Sequence, residues 1–332
     1  MLAAAFAAVC ATQAAGPAQA AGESMPVAEY RAWHWNVAGS TFHGGSTQNG
    51  MVTAAVGSIR AQDPDFVSFN EICRTQYDEI LRRLAAPYGD SGPWTRGAVS
   101  YARFATSRQA NTGICQGEAF GNAIFSRHEL GVSQTYVLPP DYTPEEALQG
   151  PVEDRTLLCA PLKARPKMKF CTTHITGSNR PMPTESSAKI NKQQLDAVSG
   201  ILDGFAQAGQ SYLLAGDLNA QPHPDYVRLD KLMEAHTELD SADDAHCPGY
   251  GEWTAVGTTG KGCVTNGTNP KIDFILARTG QMDGTFTADA KVIPETCEVK
   301  NKVTGVVESL RPCSDHRVLI GSAHLRVSDA TG

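Results

Sequence analysis

Four short words, far apart in the chain, combine carboxylates, amides and an imidazole: Trp35-Asn36, Asn70-Glu71, Gly216-Asp217-Leu218-Asn219 and Ser314-Asp315-His316. Each follows or adjoins a short apolar run that reads as a strand. Loops at strand ends are where rigid scaffolds gather reactive groups. Hard oxygen ligands, one reactive carboxylate and one histidine are the set that metal-assisted hydrolysis of a phosphoester requires. A phosphodiester resists water because its anionic oxygens repel a nucleophile. A hard cation neutralises that charge, amide and imidazole donors brace the charge that develops, and a carboxylate orients or deprotonates the water. Asp273, inside the apolar run 271–277, adds a carboxylate suited to fixing the tautomer of His316.

The elements that must position these words alternate along the chain. Residues 30–37, around Trp33 and Trp35, read as a strand, 51–62 as a helix that Pro64 helps to end, 65–70 as a strand reaching Glu71, and 75–86 as a helix with Ile80, Leu81 and Leu84 on one face. The glycine-dotted stretch 88–117 reads as loop, 119–126 as a strand and 138–151 as a proline-rich connection. Residues 155–162 and 168–175 read as two strands joined by a turn. The clearest helix is 185–208, where Ile190, Leu195, Val198, Ile201, Leu202 and Phe205 recur at helical intervals. A buried strand, 211–215, leads into Gly216. Further on, 225–236 is expected to be helical, 246–269 a Gly/Thr-rich loop, and 271–277, 285–293 and 317–327 strands. No proline- or serine-rich linker interrupts the pattern, so residues 22–332 read as one domain. A dinucleotide-binding fold is excluded, because no Gly-x-Gly-x-x-Gly follows the first strand.

The 332 residues, 41% hydrophobic and 19% charged, suffice for a sizeable core. The net charge of -7 argues against a broadly basic surface, and so against tight non-specific nucleic-acid binding. A nuclease can tolerate that total, since its cleft alone must attract phosphate. Residues 1–21 carry no charge and end in Ala18-Gln19-Ala20, a small-x-small pattern that reads as a signal peptide and implies a secreted, extracellular protein. The segment is too short and too weakly apolar to span a membrane. Eight cysteines remain beyond it, an even number that favours disulfides in an exported chain. They allow on the order of a hundred pairings. Local spacing suggests Cys159–Cys171, Cys247–Cys263 and Cys297–Cys313, leaving Cys73 with Cys115. The absence of CxxC or HxxxH spacing argues against zinc.

Taken together, Trp35-Asn36, Asn70-Glu71, Arg155, Thr173-His174, Gly216-Asp217-Leu218-Asn219, Lys271-Ile272-Asp273 and Ser314-Asp315-His316 resemble the motif set of the endonuclease/exonuclease/phosphatase superfamily, in the family's order. That group includes deoxyribonuclease I, exonuclease III-type repair nucleases, neutral sphingomyelinases and inositol polyphosphate 5-phosphatases. The resemblance implies a four-layer α/β/β/α sandwich of two mixed β-sheets flanked by helices. It implies Glu71 as the main metal ligand, with Asn36 and Asp315 helping to organise metal and water. Asp217 is then the residue that orients or activates water, and Asn219 the one that holds the scissile phosphate. His316 contacts phosphate or acts as acid/base with Asp273 as its partner. His174 is implied as a second phosphate-side histidine and Arg155 as a phosphate contact, as in the deoxyribonuclease I branch. The implied cofactor is Mg²⁺, with Ca²⁺ or Mn²⁺ as alternatives. The stretch 121–127 resembles a structural strand beside the cleft.

Blander readings stand beside these. Asp217 and Asn219 favour turns, Glu71 suits a helix cap, His174 a satisfied core position, and Arg155 a surface ion pair. His34 reads as a packing histidine. His43, His128, His223, His236, His246 and His324 lack a supporting word and read as structural. Tyr250 and Trp253 are placed to stack on a base, to enter lipid or simply to pack their loop. Tyr101, Arg103 and Arg108 read as solvated loop residues rather than a nucleic-acid groove, and Asn266-Gly267-Thr268 is a glycosylation sequon. Three functions compete. A secreted endonuclease acting on DNA or RNA is favoured by Arg155 and by the chain order of His174 and His316. A phosphoesterase of lipid or small-molecule phosphoesters is the alternative, although no doubled-aromatic tip is present and Leu138-Pro139-Pro140-Asp141-Tyr142 is its nearest candidate. A silent binding protein is disfavoured, because every core position carries a competent residue type. A monomer without stable membrane insertion is expected.

Overall fold

Inward-facing side chains recurring every second residue build two sheets that share one apolar layer. The computed structural model describes residues 25–89, 92–95, 99–109, 113–177, 187–220, 230–243, 251–255, 271–300, 304 and 306–328. The strands are β1 (Val27–Asn36), β2 (Phe66–Cys73), β3 (Ala102–Arg108), β4 (Phe120–Ser126), β5 (Gln134–Val137), β6 (Thr156–Pro161), β7 (Met168–His174), β8 (Ser211–Asp217), β9 (His236–Glu238), β10 (Asp273–Arg278), β11 (Met282–Lys291), β12 (Thr296–Lys300), β13 (Val307–Pro312) and β14 (Val318–Arg326). The helices are α1 (Met51–Gln62), α2 (Arg74–Leu84), α3 (Pro144–Gln149), α4 (Ser187–Gln207) and α5 (Asp230–Ala235). One six-stranded sheet runs β11-β14-β1-β2-β4-β3, the other β5-β6-β7-β8-β10-β9, and β12-β13 form a separate two-stranded hairpin. Each large sheet has one parallel pair, β1 with β2 and β7 with β8, and is otherwise antiparallel. A parallel pair needs a crossover connection, and α1 and α4 lie in those two connections.

Three apolar layers give the α/β/β/α sandwich. Trp33, Trp35, Phe69 and Phe125 pack against Met51, Val52 and Ile59 of α1 and Ile80 and Leu84 of α2. Tyr30, Ala32, Phe66, Ile124, Leu158, Phe170, Leu213, Ala215 and Ile275 fill the space between the sheets. Leu157, Tyr212, Leu214 and Phe274 pack against Leu195, Val198, Leu202 and Phe205 of α4. The middle layer changes character along its length. On β1 the inward positions run Tyr30, Ala32, then His34 and Asn36. On β2 they run Phe66, Ser68 and Asn70, on β7 Phe170, Thr172 and His174, and on β8 Leu213, Ala215 and Asp217. The same alternation that builds the core therefore delivers a polar cluster to one end of the sandwich.

β3 lies inside 88–117, which reads as loop, while β5, most of the short β9 and the β12-β13 hairpin fall in segments that the sequence assigns to no element. β5 and β13 expose most of their residues, so they lack the apolar alternation that reveals a strand. Three disulfides, Cys73–Cys115, Cys159–Cys171 and Cys297–Cys313, agree with the pairing suggested by spacing. Cys159 and Cys171 are direct cross-strand partners on β6 and β7. The Cys247–Cys263 pair, the segment 1–21, His223, His246, Tyr250 and Asn266 lie outside the described residues. Among the described residues no helix is long and apolar enough to cross a membrane.

His43 makes acid stability testable. Its Nε2 donates to the Cys313 carbonyl at 2.6 Å, and its Nδ1 accepts from the Asn49 amide at 2.6 Å, so the ring is neutral. Burial, aided by the Arg311 guanidinium and only partly offset by the bond to Cys313, lowers its pKa from 6.5 to about 4. In the unfolded chain the ring takes up a proton near 6.5; in the fold it refuses one until about 4. The stability this contributes is complete above pH 6.5 and is lost as pH falls towards 4, amounting to at most about 3 kcal/mol. Urea unfolding at pH 7 and pH 4.5 should therefore show a loss about 2 kcal/mol smaller in His43→Gln than in the wild type. Equal losses in the two proteins would contradict this account.

Candidate active site

The backbone sets the geometry before any side chain does. Asn36 ends β1 and lies beside Asn70 in parallel register. The pairing of β2 with β4 then shifts between Phe69 and Ile72, and Glu71 adopts a left-handed conformation with φ 55°. Such a bulge re-aims a side chain, and a left-handed non-glycine residue costs about 1–2 kcal/mol. On β8, Gly216 lies opposite Thr173, and a Cβ at 216 would run into the Thr173 carbonyl. The glycine lets the two strands close up just before Asp217. Asn219 has φ 44°, a conformation asparagine tolerates.

Polar bonds then join the two sheets. Asn36 Nδ2 donates to Glu71 Oε1 at 3.1 Å and to Asp217 Oδ2 at 3.0 Å. Asn70 Oδ1 accepts from the Asp217 backbone N–H at 2.8 Å, and its Nδ2 donates to Asn122 and Thr172. Asp217 Oδ1 accepts from the Asn219 N–H at 2.9 Å, so the Gly-Asp-Leu-Asn word is a turn as well as a site element. His316 Nδ1 meets Asp273 Oδ2 at 2.8 Å, and its Nε2 lies 3.8 Å from Asp217 Oδ2. Trp35 Nε1 donates to the His316 carbonyl, and Ser314 Oγ bridges the Asn36 carbonyl and the His316 N–H. Thr254 Oγ1 accepts from the Asp273 N–H, while its carbonyl accepts from Arg317. The Asp273–His316 pair is thus held by backbone on both partners.

On the other side of Asp217, His174 Nε2 lies 3.7 Å from Asp217 Oδ2, 3.8 Å from Glu71 Oε1 and 3.2 Å from Asn219 Nδ2. Its Nδ1 faces Arg155 Nη1 at 3.2 Å. A guanidinium and an amide nitrogen only donate, so each ring nitrogen of His174 faces a donor, an arrangement that disfavours a ring protonated on both. Burial first, and then the Arg155 charge, press the His174 pKa well below 6.5. His316 is the opposite case. Burial opposes its charge, but Asp273 first, and then Asp217 and Asp315, outweigh burial and raise its pKa. Burial disfavours the Asp273 charge too, and is overcome by His316 and His34, which hold the carboxyl below the usual range. Burial, with Asp273 nearby, raises Asp217 to about 7. Burial also raises Glu71, with the Asn36 bond opposing.

Asn36, Glu71, His174, Asp217, Asn219, Asp273 and His316 converge on one space at the polar end of the sandwich. Asp315 is exposed at its rim, where its charge acts on Glu71 and His316. Arg155 is 7% exposed; Glu153 (2.9 Å) and Asp141 (3.3 Å) hold its guanidinium against His174. Lys271 is buried between Asp240 and Glu238 and anchors the start of β10. Trp253 is buried with Arg317 over its ring, a packing arrangement. Arg103 donates to the carbonyls of Leu130 and Gly131, and Arg108 to that of Pro151. His34, read as a packing histidine, is fully buried and has both ring nitrogens bonded, to Ser68 Oγ at 2.7 Å and to Asp273 Oδ1 at 3.1 Å. Its place two residues before Asn36 was the available signal, since strand alternation puts both on one face. A cleft at the opposite end is lined by Arg60, Tyr88, Arg127 and Lys163. There Arg127 pairs with Asp63 and Asp65, and Lys163 with Glu129.

The donor chemistry at the polar end fits a hard divalent cation. Glu71 is a carboxylate whose burial-raised pKa a cation would lower, and Asn36 links it to a second carboxylate, Asp217. Ligand atoms of Asp217, Asp273 and His316 also lie within 4.8 Å of one another. There, however, His316 Nδ1 and Asp273 Oδ2 are already bonded to each other, an arrangement that holds a proton rather than an ion.

The sequence profile of the Endonuclease/Exonuclease/phosphatase family matches residues 33–316. Similar solved structures include sphingomyelinase C from Streptomyces griseocarneus, at 14% identity and TM-score 0.59, covering 89% of this chain and 99% of that one. An endonuclease/exonuclease/phosphatase from Beutenbergia cavernae is similar at 20% identity and TM-score 0.54, over 90% and 72% of the two chains. D. rerio TDP2 complexed with single-strand DNA product is similar at 16% identity and TM-score 0.54, over 89% and 98%. No curated protein matches the sequence. Identities this low carry the fold alone.

Proposed function

The chain belongs to the endonuclease/exonuclease/phosphatase family, whose members hydrolyse phosphoesters, and we propose that it is a secreted, metal-dependent phosphodiesterase acting as an endonuclease on DNA or RNA. The observation that carries this reading is the pairing of opposites around one space: a cationic His316 on Asp273, a neutral His174 on Arg155, and between them Asp217 with its pKa near neutrality. A base, an acid and a neutral donor, each fixed by a different neighbour, are what in-line attack of water on a phosphodiester uses.

In this mechanism Asp217 Oδ2, steadied by Asn36, orients the water and accepts its proton as the oxygen bonds to phosphorus. The bond from phosphorus to the leaving oxygen breaks, and His316 Nε2 lies on the side from which that oxygen can be protonated. His174, kept neutral by burial and by the Arg155 charge, cannot act as an acid; its single ring proton is available to a phosphate oxygen. Asn219 holds the phosphate from the same side. A divalent cation, Mg²⁺ with Ca²⁺ or Mn²⁺ as alternatives, would be held by Glu71 and Asn36 with help from Asp315, and would neutralise phosphate charge and steady the leaving oxygen. Three disulfides support an oxidising, extracellular setting. The protein is read as a monomer.

Hydrolysis of lipid or small-molecule phosphoesters is the second reading. It is favoured by the net charge of -7 and by the carboxylates of Glu153 and Asp315 near the site. Nicking of supercoiled plasmid by the purified protein, with Mg²⁺ and with EDTA, separates the two. Metal-dependent nicking that disappears in His316→Ala is the expected result. Folded protein that leaves plasmid intact in Mg²⁺ would transfer the assignment to the smaller phosphoesters.

A further inference from the structure

Asp273 lies between two imidazoles. His316 Nδ1 meets its Oδ2 at 2.8 Å, and His34 Nε2 meets its Oδ1 at 3.1 Å. His34 reaches on through Nδ1 to Ser68 Oγ at 2.7 Å. His34, Ser68 and Asp273 are all fully buried. A carboxylate only accepts, so His34 Nε2 carries a proton; a neutral ring then accepts at Nδ1, and the Ser68 hydroxyl donates. Each bond has one direction: Ser68 to His34, His34 to Asp273, and His316 to Asp273 from the far side. The His34–Asp273 bond also passes from one sheet to the other, β1 to β10, directly beneath the His316 ring. Packing alone does not explain an imidazole here. The inward positions preceding it on β1, Tyr30 and Ala32, belong to the apolar middle layer, and an aliphatic residue at 34 would extend that layer without desolvating two ring nitrogens.

We propose that His34 is a positioning residue for the catalytic pair: by holding Asp273 Oδ1 it keeps Oδ2 on His316 Nδ1, and so keeps the His316 ring turned towards Asp217. The proposal rests on the reading of Asp273 and His316 as a working pair. Without the His34 donor, Asp273 has a bare oxygen in the core, and its carboxylate is free to turn about Cβ–Cγ to share its remaining bond. Groups that orient a reacting side chain from behind are worth about 10–100-fold in activity.

Two isosteric amides isolate the atom concerned. Gln at 34 places its amide nitrogen where Nε2 stands, towards Asp273; Asn reaches only as far as Nδ1, towards Ser68. His34→Gln is expected to keep kcat within about 3-fold, and His34→Asn to lower it about 10–100-fold with KM unchanged within about 2-fold. In a His316→Ala background, adding His34→Asn should cost less than about 3-fold, because the residue acts through His316. Equal kcat in the two amide variants, or a full additive loss in the double variant, would overturn the proposal. A readout independent of turnover is the downfield imidazole proton of the His316–Asp273 bond, identified by its loss in His316→Ala. It should persist in His34→Gln and move or vanish in His34→Asn; persistence in both would also overturn the proposal. A wild type that hydrolyses no phosphoester would sink the functional reading, and the resonance would then decide the role of His34 by itself.

Discussion

Asp217→Asn and His316→Ala are each expected to lower kcat by about 10²–10⁴-fold, with the melting temperature changed by only a few degrees. The two substitutions remove different halves of one proton transfer. Asn at 217 can still accept the Asn219 N–H through its carbonyl oxygen, so the turn survives, but it can no longer take a proton from water. Its amide nitrogen would also face the Asn36 amide that now donates to Oδ2. Ala at 316 leaves Asp273 Oδ2 without its imidazole partner, while Oδ1 keeps its bond from His34. Because both side chains serve one step, the double variant should be scarcely slower than the worse single one. Single-turnover rates on a phosphodiester, measured alongside thermal unfolding, check this. Near-wild-type turnover in either variant, from folded protein, would remove that residue from the chemistry.

The residues that carry these expectations were readable to unequal degrees. Gly216, Asp217 and Asn219 were legible because they follow an unbroken apolar strand and because glycine, aspartate and asparagine each have a local reason to be there. The word Asn70-Glu71 was equally visible, yet the bulge that turns Glu71 towards Asn36 was not; it depends on how β2 pairs with β4, a contact between distant segments. Cys159 and Cys171 could be paired from a turn and a short spacing. Arg155 was visible only as a charge. Its engagement depends on Asp141, which sits in a stretch read as a proline-rich connection, and on Glu153 and His174. His34 was read as packing because a single histidine on an apolar strand looks like filler until the carboxylate opposite it, 239 positions further along, is known. Local chemistry announces turns and strand ends. Partners brought together by the sandwich do not announce themselves, and at this site those partners fix the proton positions.

Glu71→Gln is expected to weaken divalent-cation binding by at least about 100-fold while leaving the fold intact. Glutamine keeps a carbonyl oxygen to accept the Asn36 amide, so the local bond survives and the charge alone is lost. In the wild type, a cation bound only by the folded state should stabilise it by about 2.7 kcal/mol at a hundredfold excess over its dissociation constant, or roughly 4 °C in melting temperature for a domain of about 300 residues. EDTA should reverse that shift. The variant should show almost none of it at the same Mg²⁺ concentration, and calorimetric titration of Mg²⁺ should lose its heat. The contrast also tests which carboxylates hold the ion. If Glu71→Gln shifts as far as the wild type, the ion belongs instead with Asp217, Asp273 and His316, whose ligand atoms are close enough to share one. Asp273 would then have to release His316, and the His316 imidazolium on which the proposed proton transfer depends would be lost. A wild type that gains no stability from Mg²⁺, Ca²⁺ or Mn²⁺ would leave the half-buried Glu71 carboxylate without the partner its position calls for.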